Sequence, residues 1–105
     1  MEQADVSRAA GRLDEAAANL ERAVRIEPRN AFVWARLAEH HLDHGNFEQA
    51  EAMAQRSNSL SRGNPHVQMQ NWRVIAAARN GRGDATGGLQ AEARVEELRA
   101  GLPPE

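Results

Sequence analysis

Four groups of residues in this chain are of types that could do chemistry. The run Glu39-His40-His41-Leu42-Asp43-His44 gathers three imidazoles and two carboxylates. His40 and His44 are four apart, so on a helix they share one face, as metal ligands do. The order is not the His-Glu-x-x-His of zinc proteases, and a third ligand has to come from elsewhere in the chain. The run is therefore read as exposed histidines, not as a metal site. Ser57, Ser59 and Ser61 have no histidine and acid at a spacing that would activate a hydroxyl. Gly81-Arg82-Gly83-Asp84 has the glycines of a phosphate loop, but no strand precedes it and no lysine follows. Trp34 and Trp72 offer faces on which a ligand could stack. No acid–base or nucleophile constellation converges, so the residues predict a protein that is not an enzyme and needs no cofactor or metal.

The elements that must position these residues are set by an internal period. Displaced by 34 positions, Gly11 falls on Gly45, Leu13 on Phe47, Ala16 on Ala50, Leu20 on Ala54, Ile26 on Leu60 and Asn30 on Asn64. A period of this length marks a stacked helix–turn–helix unit. The first helix is expected over 2–10 and the second over about 13–26, with an apolar stripe of Leu13, Ala16, Ala17, Leu20, Ala23, Val24 and Ile26. Pro28 ends the second helix, because proline disfavours helical geometry in the residue before it. Asn30 caps a helix over 31–43, which Gly45 closes. Asn46 caps the next, over 47–60, with Gln49 placed to complete a capping box. Asn64-Pro65 is a cap followed by proline at the first helical position, opening a helix over 65–80. Asp84 caps the last, over 85–100, whose stripe is Ala91, Val95, Leu98 and Leu102. Gly87 and Gly88 either allow a close helix approach or move its start towards Leu89.

The expected fold is all-α, with six helices in three pairs forming a single domain over 1–105. The units span 1–30, 31–64 and 65–100, with a tail at 101–105. The third unit breaks the period. Trp34 to Trp72, Leu37 to Ile75 and Gly45 to Gly83 are each 38 apart, whereas Asn30 to Asn64 is 34. The four added residues lie between the cap and the tryptophan, so the first helix of the third unit should start one turn early.

Composition excludes several function classes. Residues 1–64 carry ten acids and eight arginines, and residues 65–105 five of each, with no lysine anywhere. No basic stripe suited to nucleic acid results. There is no cysteine, hence no disulfide or thiol chemistry, which fits periplasm and cytoplasm alike. No apolar 18-residue span or leader is present, so no direct membrane insertion by this segment is expected.

The units resemble the tetratricopeptide repeat, whose signature is Trp-x2-Leu-Gly-x2-Tyr, then Ala-x3-Phe, then Pro. The middle unit reads Trp34-x2-Leu37-Ala38-x2-His41, Gly45 and Ala50-x3-Ala54. The first supplies Ala16-x3-Leu20, Ala23 and Pro28, and the third Trp72-x2-Ile75-Ala76, Gly83-Asp84 and Gly88. The resemblance implies a right-handed solenoid and makes Trp34 and Trp72 packing residues. His41 and Arg79 stand in the tyrosine slots. Glu92 holds a slot meant for a large apolar residue, which suggests a solvent-facing last helix. The first unit lacks the start of its first helix, implying that the chain begins inside a larger protein.

A narrower resemblance rests on Arg56-Ser57-Asn58-Ser59-Leu60 and on Gln70-Asn71-Trp72-Arg73-Val74-Ile75-Ala76. These stretches are similar to the repeat domain of small envelope lipoproteins of Gram-negative bacteria, among which is an activator of a bifunctional peptidoglycan synthase (a class A penicillin-binding protein). The resemblance implies a periplasmic domain tethered to the outer membrane, with the synthase as protein partner.

In this family the first helix of each pair lines a concave groove for a protein or peptide. By position the groove residues are Phe32, Ala35, Arg36, Glu39 and Asp43 from the middle unit. The third unit contributes His66, Met69, Gln70, Arg73, Val74, Ala77 and Asn80. Ala35 and Glu39 occupy slots where chaperone-binding members carry carboxylate-clamping residues, which argues against that partner. The alternatives are a general adaptor with another partner, or a self-association module using residues 2–24.

Overall fold

The structure, a computed structural model, describes residues 15–104. It is helical, with no strand among the described residues. The helices are α1 (residues 15–26), α2 (Ala31–Asp43), α3 (Phe47–Leu60), α4 (Pro65–Gly81) and α5 (Ala85–Ala100). The expected count of six is not confirmed: five helices lie in the described residues, and the helix expected over 2–10 lies outside them. α4 extends one residue beyond its expected end and is 17 residues long against 13 for α2. The four residues inserted before Trp72 thus add one helical turn.

The turns follow from a few polar side chains and glycines. Asn30 Oδ1 accepts from the amides of Phe32 (3.0 Å) and Val33 (3.4 Å), Asn64 Oδ1 from Val67 (3.3 Å), and Asp84 Oδ1 from Gly87 (2.9 Å). Each satisfies an amide that the first helical turn leaves without a partner. The capping box expected at Asn46 does not form. Asn46 occupies the cap position, but its side chain makes no cap hydrogen bond; its Nδ2 instead lies 3.4 Å from His41 Nδ1.

The backbone of Asn46 is engaged at the preceding helix end. Its amide donates to His41 O (2.8 Å) and the Gly45 amide to Leu42 O (3.0 Å). The same pair of bonds recurs 38 residues later, from Asp84 to Arg79 O (2.8 Å) and from Gly83 to Asn80 O (3.1 Å). This is the Schellman closure, which needs a left-handed residue between helix and cap. Gly45 and Gly83 supply it, at φ of 74° and 86°.

Helix α4 is the centre of the stack, packing against α2, α3 and α5, while α2 also packs on α3. The core is built largely of small residues: Ala38, Ala50, Ala54, Ala76, Ala78 and Ala91 surround Val74 and Ile75. Small side chains let backbones approach, and the glycines carry this furthest. A methyl group on Gly81 would meet the Phe47 ring at 2.5 Å, and one on Gly87 would overlap the Asp84 carboxylate and approach Arg79 Cδ to 3.0 Å. A methyl on Gly88 would overlap the Asn80 side chain. Gly87 and Gly88 are both buried and helical, so of the two sequence readings the close approach of α4 and α5 is the one observed.

One packing expectation needs correction. Ile26 was placed in the buried stripe of α1, yet it is 73% exposed. It is the last helical residue before the Pro28 turn, beyond the reach of a covering neighbour. Trp34 and Trp72, expected as packing residues, are half-buried, and Trp72 packs against the core cluster. Trp34 Nε1 donates to Pro28 O (2.8 Å), closing the turn between α1 and α2. The Arg56 guanidinium lies over Trp34 at 5.9 Å, and Arg94 over Trp72 at 5.4 Å, each arginine 22 positions beyond its tryptophan. In both rings a cation lies over the π-face, the arrangement its charge distribution favours.

Candidate functional site

Because α4 is covered by α2, α3 and α5, little of its circumference remains open. The open part is one stripe: His66, Gln70, Arg73, Ala77 and Asn80, recurring at four- and three-residue steps, all exposed. Met69 and Val74 were expected in the groove but are core residues, 7% and 3% exposed. Each helical residue turns by about 100°, which places Met69 and Val74 to either side of the open stripe, under the neighbouring helices.

The remaining groove residues fall into three cavities. Phe32, Arg36, Glu39, His66 and Gln70 line one of about 300 Å³ between α2 and α4, together with Ala35 and Val67. Gln70 Nε2 donates to Glu39 Oε1 across it (3.3 Å). Phe32, 62% exposed, is the largest apolar side chain facing this space. Asp43 lies in a smaller cavity between α1 and α2, with Ala16, Leu20 and His40; Arg36 and Glu39 border both. Arg73, Ala77 and Asn80 line a third, of about 320 Å³, whose other wall is α5 through Glu92, Val95, Glu96 and Arg99. The α5 wall was missed because only first helices were assigned to the groove. Glu92, a charge in an apolar slot, was the signal that could have shown it.

The expected exclusions can be placed in the structure. The hydroxyls of Ser57, Ser59 and Ser61 donate to the carbonyls of Ala31 (2.7 Å), Arg56 (2.7 Å) and Asn58 (3.4 Å), so each serves the backbone. Arg82 in the glycine turn pairs with Glu51 (3.2 Å). Arg79, in the second tyrosine slot, also binds Glu51 (3.1 Å) and donates to Gly87 O (3.1 Å), tying α3, α4 and α5 together. His40 and His44 stack with ring centroids 4.2 Å apart, and His44 Nδ1 donates to His40 O (2.9 Å). Among the described residues, no group of three His, Cys, Asp or Glu side chains is placed to hold a metal ion.

His41, in the first tyrosine slot, has its pKa held below the ordinary imidazole value. Burial is the main cause; His40 and His44 add to it, and Glu21 opposes it. The folded chain therefore takes up a proton at this site less readily than the unfolded chain does. Unfolding is coupled to proton uptake there, so this contribution to stability is fully present above the ordinary value of 6.5 and is lost as the pH falls through the depressed value. Melting curves between pH 7.5 and 5.5 should show stability declining towards the acid side. The decline should be smaller in His41→Tyr, and an unchanged slope in that variant would discount His41 as its source.

The polar network behind the groove was not anticipated. Asn71 is fully buried; its Nδ2 donates to Ser57 Oγ (2.8 Å) and to Asn58 Oδ1 (3.0 Å). With Ser57 bonded to Ala31 O, the chain of bonds joins the start of α2 to α3 and α4. All three side chains lie in the two stretches that carry the narrower resemblance.

Comparison with known proteins agrees with this geometry. The family model for the tetratricopeptide repeat matches residues 7–70. Among solved structures, the globular C-terminal domain of P. aeruginosa LpoP is similar to this chain. It shares 39% sequence identity over 93% of this chain and 90% of that one, with a TM-score of 0.75. No curated protein matches the chain.

Proposed function

This chain belongs to the tetratricopeptide repeat family, and from that premise we propose that it is a non-enzymatic protein-binding domain that stimulates a class A peptidoglycan synthase. The observation that carries the binding role is the α2–α4 cavity. An exposed Phe32 and the apolar Ala35 and Val67 are ringed there by Arg36, Glu39, His66 and Gln70. A mainly apolar floor with a few convergent polar groups suits a helix or an extended segment of a protein. The choice of partner is supported by the likeness to the LpoP domain, together with the lipoprotein resemblance of residues 56–60 and 70–76. The same likeness supports a periplasmic setting with an outer-membrane tether, for which the expected finding is a lipid-accepting cysteine encoded upstream. A single domain over 1–105 with unit boundaries after 30, 64 and 100 is the organisation this reading assumes.

The test is capture of purified synthase by the immobilised domain, with glycan polymerisation measured alongside. Phe32→Ala and Arg73→Ala should each weaken capture by about 1–2 kcal/mol, roughly five- to thirty-fold, because truncating a central aromatic or arginine contact removes that much. Both side chains are exposed, so helicity should not change. Undiminished capture by both variants would exclude the groove as the contact. A dimer that persists on dilution, without synthase capture, would favour self-association instead.

A further inference from the structure

We propose that the loop edge around the first turn of α4 is a docking track for an extended acidic segment of the protein partner. An apolar side chain of that segment would sit against Phe32 and Val67, and carboxylates would meet Arg29, Arg62 and Arg94. The inference rests on the protein-binding reading above and adds where the partner leaves the groove and what chemistry it presents.

Three depressions share lining residues and so lie next to one another along this edge. The α2–α4 cavity, about 300 Å³, shares Phe32 and Val67 with a depression of about 280 Å³ at the loops, which Arg29, Leu60 and Arg62 also border. Arg62 in turn borders a third, about 320 Å³, formed with Gln68, Trp72 and Arg94. The extra turn of α4 contributes to every one of them: His66 and Val67 to the first, Val67 to the second, Gln68 to the third. Gln68 Nε2 donates to Ser61 O (3.2 Å) and so holds this turn to the loop before a partner arrives. The residues that break the 34-residue period are thus the ones that build the track.

Charge selects the occupant. Four arginines border the track: Arg29, Arg36, Arg62 and Arg94. Glu39 is the one carboxylate that does, and it already accepts from Gln70. Among the described residues Arg29, Arg36 and Arg62 enter no salt bridge, and Arg94 pairs with Glu97 in a contact where both side chains are more than half exposed. Such an exposed pair is weak and is readily exchanged for an incoming carboxylate. An extended chain points successive side chains to opposite sides, so one segment can offer an apolar group to Phe32 and Val67 and acids to the arginines. Arginine favours carboxylates through paired hydrogen bonds, which gives the track its sign.

The probe is a capped nonapeptide in which glutamates alternate with leucine and serine, compared with the same peptide carrying lysine in place of glutamate. Both are titrated into the isotope-labelled 105-residue chain. The expected result is amide shifts at Arg62, Gln68 and Trp72 with the acidic peptide, and affinity at least about tenfold lower for the lysine peptide and for the acidic peptide on Arg62→Glu. Arg62 lies on an exposed turn, so this variant should keep the parent circular dichroism spectrum. Shifts confined to Arg36, Gln70 and Arg73 would overturn the track while leaving the groove reading intact. Equal binding of the two peptides, or no binding of the acidic one, would overturn the track as well. The groove reading is tested separately, by synthase capture.

Discussion

Ile75→Ala should lower the unfolding free energy by about 3–4 kcal/mol and the melting temperature by more than ~10 °C. Ile75 is fully buried and has the largest volume among the fully buried side chains of the described residues. It sits in α4, which touches three other helices, in a cluster built largely of alanines whose short side chains can do little to fill a vacated space. The loss therefore combines the transfer free energy of the removed carbons with the cost of the cavity left after partial relaxation. Leu89→Ala is the matched control: Leu89 is 67% exposed, and its truncation should change stability by less than about 0.5 kcal/mol. Urea denaturation of the two variants measures both. If they lose similar amounts, α4 is not the centre of the core.

The second large effect is expected at Asn71. Asn71→Ala should destabilise the domain by about 2–4 kcal/mol, because it opens a cavity, removes the donor to half-buried Asn58 Oδ1 and leaves Ser57 Oγ with its bond to Ala31 O alone. The lower half of that range is favoured, since Asn71 Oδ1 is itself buried without a partner and its removal relieves that penalty. Ser57→Ala should lose about 1–2 kcal/mol by leaving Asn71 Nδ2 with one acceptor. The double variant should lose at least about 0.5 kcal/mol less than the sum of the two, which is the signature of residues acting in one network. Strict additivity across the cycle would mean that the Asn71–Ser57 bond contributes nothing to stability.

These variants also bear on function. The network ties the start of α2, where Phe32 stands, through α3 to α4, which carries the opposite wall of the groove. Breaking it should loosen the spacing of Phe32 from His66 and Gln70 before the helices themselves melt. Partner capture by Ser57→Ala is then expected to weaken more than its modest loss of stability implies.

Much of the fold was legible in the residues because local rules govern helices and turns. Asn30, Asn64-Pro65 and Asp84 marked helix starts, and Gly45 and Gly83 marked ends, since caps and left-handed turns depend on a few neighbouring side chains. Asn46 shows the limit of such rules: the residue type suited a cap, but its amide closes the preceding helix and its side chain turns to His41.

Of the expected groove set, ten residues proved exposed or half-exposed at a cavity, and Met69 and Val74 did not. The family resemblance implies which helix faces the groove but not how wide the open stripe is. That width depends on how many neighbours cover α4. The α5 wall escaped notice for the same reason, as did the Asn71 network, whose partners are separated by 13 and 14 positions in the chain.

The sequence by itself determined the repeat, the helix ends and the added turn before Trp72, because hydrophobic spacing, capping and chain length act over a few residues. Tertiary structure alone decided which faces of α4 stay open, that Ser57 and Asn71 meet in the interior, and that the added turn borders three neighbouring depressions. Those outcomes depend on helix–helix packing, which brings together side chains that no local pattern relates.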